Sequence, residues 1–134
     1  MLEKALSFDA DVVMVDLEDS VPPSEKVNAR HMAQEWVPKL HRSGLRVMVR
    51  VNSLDTGLTK AEVATVVGPE LYGLSIGKTE SVWDILETDR IISVAESAAG
   101  LDAGRLKLIP WIENARAVMA AQEIAVASRR IVAV

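Results

Sequence analysis

The 134-residue chain is 49% hydrophobic and 25% charged, with a formal net charge of −4. That is enough apolar content for a folded core, and the net negative charge argues against nucleic acid as a partner. Cysteine is absent, which excludes disulfides and thiolate metal centres, and no apolar run approaches the roughly 20 residues of a membrane-spanning helix. Met1 to Phe8 include Glu3 and Lys4 and lack the apolar stretch of a signal peptide, so a soluble, cytoplasmic protein is expected, with an organelle left open.

In chain order, Leu2 to Phe8 reads as the tail of a helix and Asp11 to Leu17 as a strand buried on both faces. Three carboxylates, Asp16, Glu18 and Asp19, crowd the end of that strand. Val21-Pro22-Pro23-Ser24 makes a loop, and Ser24 is placed to cap a helix from Glu25 to about His41. Ala29, Ala33, Trp36, Val37 and Leu40 give this helix one apolar face, while Pro38 predicts a kink or an early end. Arg46 to Val51 is the second strand, Leu54 to Gly57 a loop, and Thr59 to Val67 a short helix. Leu71 to Ile76 is the third strand, followed by a long helix over 81–99 with Val82, Ile85, Leu86, Ile92, Ala95 and Ala99 inward and Gly100 just past its end. Arg105 to Ile112 is the fourth strand, Asn114 to Ala127 an Ala-rich helix, and Ile131 to Val134 opens a fifth strand. His31 and His41 lie away from the strand tips, and Trp36, Trp83 and Trp111 read as packing residues.

Strict alternation of strand and helix implies a parallel α/β sheet in one domain over residues 1–134. Charged groups then collect at strand ends, where α/β proteins keep their chemistry: Glu18 and Asp19, Arg50 and Asn52, Lys78, and Glu113. The chain starts mid-helix and stops inside an apolar strand, which reads as an incomplete domain. The alternative is a small open sheet of the flavodoxin type, which also admits a receiver-like signalling module with Asp16 or Asp19 as phosphoacceptor.

Asp11-Val-Val-Met-Val-Asp-Leu-Glu-Asp-Ser-Val21, with Met1 to Ala5 before it and Lys26, Ala29 and Arg30 after it, resembles the citrate lyase β-subunit-like branch of the HpcH/HpaI aldolases and malyl-CoA lyases. Val49-Arg50-Val51-Asn52, Ile76-Gly77-Lys78-Thr79-Glu80-Ser81 and Ile109-Pro110-Trp111-Ile112-Glu113-Asn114-Ala115 are similar to three further motifs of that family, in the same order. Gly77 stands where the family usually has Pro, and Asn114 where it has Thr. The resemblance implies an incomplete TIM (β/α)8 barrel, about strands two to six with their helices. It further implies a Mg2+-dependent lyase that cleaves a 3-hydroxy-acyl thioester such as citryl-, malyl- or citramalyl-CoA, in a homo-oligomer.

On that basis Glu113 is the expected metal ligand, with a second acidic ligand beyond Val134; the same residue also serves simply as an acid at a helix start. Arg50 is expected to grip a substrate carboxylate or the enolate oxygen, or else to pair with the acids around it. Glu18 and Asp19 are expected to move a proton or to orient Arg50, and otherwise to anchor the turn. Lys78 holds the carboxylates or touches substrate, and Asn52 donates to substrate or caps its turn. Lys26 and Arg30 read as contacts to coenzyme A phosphates or as a solvated helix face. The 134 residues alone are expected to have reduced or no activity, and a non-catalytic, self-associating remnant is the competing account.

Overall fold

A computed structural model of the chain describes residues 2–7 and 10–134. Its elements run α1 (Leu2–Ala5), β1 (Val12–Asp16), α2 (Lys26–Arg42), β2 (Arg46–Val51), α3 (Thr59–Val66), β3 (Gly73–Ile76), α4 (Val82–Ala98), β4 (Lys107–Pro110), α5 (Ala115–Met119) and α6 (Ala121–Val126). The helix expected to reach Phe8 ends at Ala5, and Phe8 itself lies outside the described residues.

The four strands pair in parallel in the order β1-β2-β3-β4. Each strand is therefore laid beside its predecessor, as in a singly wound barrel wall. An open flavodoxin-like or receiver-like sheet reverses direction partway, so this order removes both alternatives. After β4 the chain passes through α5 and α6 and returns to the sheet. There Leu108 donates to the Arg130 carbonyl at 2.9 Å and Val132 donates to the Leu108 carbonyl at 3.2 Å. The expected fifth strand is thus one parallel bridge, Leu108 with Ile131.

Strand alternation divides the sheet into two faces. One face carries Val15, Leu17, Val47, Val49, Val51, Leu74, Ile76 and Leu108, and packs in a single core against Ala33, Val37 and Leu40 of α2, Val63 and Val66 of α3, and Ile85, Ile92 and Ala95 of α4. Fully burying each of the large aliphatic side chains contributes about 1.5–3 kcal/mol. The other face carries Met14, Asp16, Met48, Arg50, Ser75 and Ile109, and Met14 on β1 is 37% exposed. The expectation that β1 is buried on both faces therefore holds only for its helix-covered side. Gly73 lets β3 fit on this second face: a Cβ there would sit 2.5 Å from the Lys107 carbonyl oxygen and 3.0 Å from the Met48 methyl.

Several local expectations change. Ser24 lies in a 3-10 turn, Pro23–Glu25, and makes no cap; α2 begins after it. Pro38 does not end α2, which continues to Arg42. The Ala-rich helix divides at Ala120 into α5 and α6. On α4, Leu86 is exposed, as is Ala99 just past its end, while Thr88, Ile91 and Glu96 are buried, and Trp83 is 63% exposed rather than packed. This helix starts on a capping box between Ser81 and Asp84. It ends as expected at Gly100 (φ 67°), where Leu101 N–H donates to the Glu96 carbonyl and Gly100 N–H to that of Ser97.

The buried polar residues of α4 serve the end of the sheet where β4 begins. Arg130, nearly fully buried, donates to Glu96 at 2.7 and 2.8 Å, to Asp89 at 2.6 Å, to Ser93 at 2.8 Å and to the Leu106 carbonyl at 3.2 Å. Glu96 also accepts the Leu106 and Gly104 N–H groups. This network ties α4 and the return segment to the end of the sheet away from the acidic tips. At that end of a barrel, residues serve stability.

Candidate active site

Register places Asp16, Arg50, Ser75 and Ile109 in one row across the four strands. Because all four share a face, Asp16 meets Arg50 directly. Arg50 Nε donates to Asp16 Oδ1 at 2.8 Å and Nη2 donates to Oδ2 at 2.6 Å, a bidentate pair. The Asp16 carboxylate also accepts the Glu18 N–H at 2.8 Å, the Ser20 N–H at 3.2 Å and the Ser20 hydroxyl. Burial pushes the Asp16 carboxyl up, but the hydrogen bonds from Arg50, Ser20 and the two backbone N–H groups outweigh it and hold the group well below the usual carboxylate range. The Asp16 hydrogen bond raises Arg50 in turn, against a smaller opposing effect of burial.

Beyond that row the chain turns the remaining acids toward one point. Glu18 is 3% exposed, and neither of its oxygens meets an aligned hydrogen-bond donor among the described residues. Two cations compensate it, Arg50 Nη1 at 3.4 Å and Lys78 Nζ at 3.2 Å. Asp19, 63% exposed at the mouth, lies 3.7 Å from Arg50 Nη1 and 3.5 Å from Lys78 Nζ. Glu18 and then Asp19 raise the Lys78 ammonium above its ordinary value. Glu113 reaches the same point from the end of β4, where its Oε1 accepts the Lys78 backbone N–H at 2.6 Å. Lys78 has φ 55°, a left-handed conformation that costs a non-glycine residue about 1 kcal/mol or more. Gly77 makes the convergence possible: a Cβ there would lie 2.8 and 2.9 Å from the Glu18 oxygens and 3.1 Å from Glu113 Oε1.

Asn52 does not open onto this cluster. Its side-chain amide donates to the Leu17 carbonyl at 2.8 Å and to Glu62 at 2.6 Å, its backbone N–H donates to Glu62 at 2.8 Å, and its Oδ1 accepts from Lys26. Both amide donors are used within the fold, where they tie the ends of β1 and β2 to α3. Lys26 supports the same corner: Nζ donates to the carbonyls of Leu17 and Glu18 at 2.7 and 2.6 Å and to Asn52 at 2.8 Å, which pins the backbone beneath Glu18. Its three ammonium donors are thus spent within the fold, although the side chain is only partly buried. Arg30 is half-buried, and His31 and His41 are exposed.

Two contributors escaped the sequence reading. Trp111, one residue past β4, stacks its ring over Arg50 at 4.8 Å and donates Nε1–H to Ser75 Oγ at 2.5 Å. Glu62, fully buried on α3, holds Asn52. The spacing of Trp111, two residues after Ile109 on the row's own face, was the available signal for the first; a lone acid among apolar residues on a short helix was the signal for the second.

As a metal site the cluster offers hard carboxylate oxygens, the donor type Mg2+ takes, often from only one or two protein carboxylates. Glu113, exposed beside the gap at Gly77, offers such an oxygen, so the residue type fits, whereas Glu18 is taken up by the Arg50 and Lys78 cations. No group of three or more metal-binding side chains forms among the described residues. Nor is any described helix long and apolar enough to cross a membrane.

Residues 1–134 match the HpcH/HpaI aldolase/citrate lyase family. The chain is 32% identical over 134 residues to the citrate lyase subunit beta of Haemophilus influenzae, covering all of this chain and 46% of that one. It is 33% identical over 137 residues to the L-malyl-CoA/beta-methylmalyl-CoA lyase of Cereibacter sphaeroides, covering 98% of this chain and 42% of that one. Among solved structures, a citrate lyase beta subunit from M. tuberculosis, complexed with oxaloacetate and magnesium, superposes with a TM-score of 0.64 at 27% identity, covering 92% of this chain and 47% of that one. The chain therefore spans about half the length of the curated relatives it matches. With four motifs in order and a sequentially wound parallel sheet presenting them at its strand tips, this chain belongs to the HpcH/HpaI aldolase/citrate lyase family.

Proposed function

We propose that the protein carrying this chain is a Mg2+-dependent carbon–carbon lyase for a 3-hydroxy-acyl thioester such as citryl-, malyl- or citramalyl-CoA. The observation that carries the reading is the convergence of Arg50, Lys78, Glu18, Asp19 and Glu113 from four strand ends onto one point. In such a cleavage the 3-hydroxyl loses its proton, the C2–C3 bond breaks to release a 2-oxo acid, and the electron pair is left as a thioester enolate that is then protonated. Glu113 would hold the metal, with a second protein ligand outside these 134 residues. When bound, Mg2+ supplies Lewis-acid polarisation of substrate oxygens.

The chain's own residues do the rest. Asp16 fixes the Arg50 guanidinium by two hydrogen bonds, leaving Nη1 directed toward Glu18 and Asp19 and available to an anionic substrate oxygen. Lys78 Nζ, half-exposed, reaches a substrate carboxylate. Asp19 is the acid open to the mouth and takes the hydroxyl proton; Glu18, buried between the two cations, orients them.

The test is calorimetric titration with Mg2+ followed by oxaloacetate, glyoxylate and pyruvate. Wild type is expected to bind at least one of these acids in a Mg2+-dependent way. Glu113→Gln should weaken Mg2+ by at least about tenfold, and Arg50→Lys should weaken the 2-oxo acid while sparing Mg2+. Wild type binding none of the three acids, or E113Q retaining full Mg2+ affinity, overturns the reading.

A further inference from the structure

We infer that Trp111 is a positioning residue that locks the Arg50 guanidinium in the plane its anionic substrate meets. This rests on the lyase reading above and assigns a role to a residue whose type and place suggest packing alone.

Arg50 has two ways to lose its orientation, rotation of the side chain off Asp16 and tilting of the guanidinium plane. The two hydrogen bonds to Asp16 restrain the first. The Asp16 contact holds one edge of the plane, and the opposite Nη1 meets Glu18 and Asp19 only at the longer distances of 3.4 and 3.7 Å. Trp111 closes this second freedom, with its ring lying over the guanidinium at 4.8 Å to the centroid. The ring is fixed in turn: the indole N–H donates to Ser75 Oγ at 2.5 Å, and the Trp111 backbone N–H donates to the Ile76 carbonyl at 2.9 Å. Ser75 is fully buried and sits beside Arg50 in the β2–β3 register. The brace therefore spans three strands: guanidinium on β2, hydroxyl on β3, and indole just past β4.

The placement also links the two halves of the site. Trp111 and Glu113 both line a recess of about 310 Å³, together with Met14, Ile109 and Ile112. Trp111 thus touches both the recess that Glu113 lines and the Arg50 guanidinium. It covers one face of Arg50 with apolar surface, so the remaining edge is the one presented to ligand. A ring here restricts the bound anion to one approach, which suits the planar carboxylate of a 2-oxo acid.

Three variants separate positioning from packing. Trp111→Leu keeps apolar bulk and loses the ring face. Trp111→Phe keeps a ring and loses the indole N–H. Ser75→Ala frees the indole. In calorimetry with Mg2+ and the best-binding acid among oxaloacetate, glyoxylate and pyruvate, W111L should bind that acid about tenfold more weakly with Mg2+ affinity unchanged. W111F should recover most of that loss, and S75A should fall between.

A second readout needs no ligand. The Nε–H signal of Arg50 in a 15N-edited spectrum, identified by its loss in R50K, should be displaced upfield by the indole ring current. That displacement should persist in W111F and collapse in W111L. If W111L binds the acid like wild type, or its Arg50 signal does not move, the positioning role is wrong and the lyase reading stands. If wild type binds none of the three acids, the lyase reading fails and takes the substrate role of Trp111 with it.

Discussion

Replacing Asp16 by Asn removes one charge from the best-formed ion pair at the strand tips. The Asn carbonyl still accepts the Glu18 N–H and Arg50 Nε, as Oδ1 does now. Its amide then replaces Oδ2 and points donors at Arg50 Nη2 and at the Ser20 N–H. A charge-assisted hydrogen bond contributes about 1.5–3 kcal/mol, and breaking a fully buried pair costs about 3–5 kcal/mol. Here the side chains remain partly accessible, at 13% for Arg50 and 20% for Asp16, and Arg50 keeps Glu18 and Asp19 as partners. A loss of about 2–3 kcal/mol follows, or roughly 6–12 °C in Tm for a chain of this size. The pH dependence carries the sign. Asp16 sits below its ordinary value in the fold, so its contribution is fully present above the unfolded carboxylate value of about 3.9 and is lost as pH falls through the folded value. Urea unfolding of wild type and D16N should show a constant gap from pH 8 to 5 that narrows below about pH 4. The exposed pair Lys39–Glu35 supplies the control: E35Q should change stability by no more than about 0.5 kcal/mol. A D16N loss as small as that of E35Q, or a gap that stays constant to pH 3, refutes the reasoning.

Arg130→Met leaves Glu96 buried without its cation and should lower stability by about 3–5 kcal/mol in urea unfolding. Arg129→Ala, at the exposed neighbour, should stay within about 0.5 kcal/mol of wild type. Gly77→Ala places a methyl against the Glu18 and Glu113 carboxylates. These are side-chain ends, so Tm should change little while Mg2+ affinity in calorimetry falls by at least about tenfold.

The wall of β-strands was legible because Val and Ile runs end abruptly in charge, and because each helix between them has an apolar face wide enough to cover one side of a sheet. Order within the sheet was not legible from residues alone. An open sheet and a barrel wall place the same strands, and only the sequential pairing separates them. At the tips, Arg50, Glu18, Asp19, Lys78 and Glu113 were identified as residue types at strand ends, and the structure brings them together. Asn52 and Lys26 show what a chemically suitable side chain hides. Their partners, Glu62 and the Leu17 and Glu18 carbonyls, lie on other elements, and only tertiary contacts reveal that every donor is already used. Trp111 was read as packing because an aromatic residue in an apolar run ordinarily is; its stacking depends on Arg50 arriving from another strand. The same holds for Arg130, whose acids lie on α4, distant in sequence.

The central claim is Mg2+-dependent cleavage at a site built on Glu113. The most direct measurement is 2-oxo acid release from citryl-, malyl- and citramalyl-CoA by the protein that carries this chain, as wild type and as E113Q, with Mg2+ and with EDTA. The account predicts turnover of at least one of these thioesters by wild type with Mg2+, abolished by EDTA and reduced at least a hundredfold, on the order of 3 kcal/mol of lost transition-state stabilisation, in E113Q. Turnover that survives both EDTA and the substitution, or no release from any of the three thioesters, would contradict it.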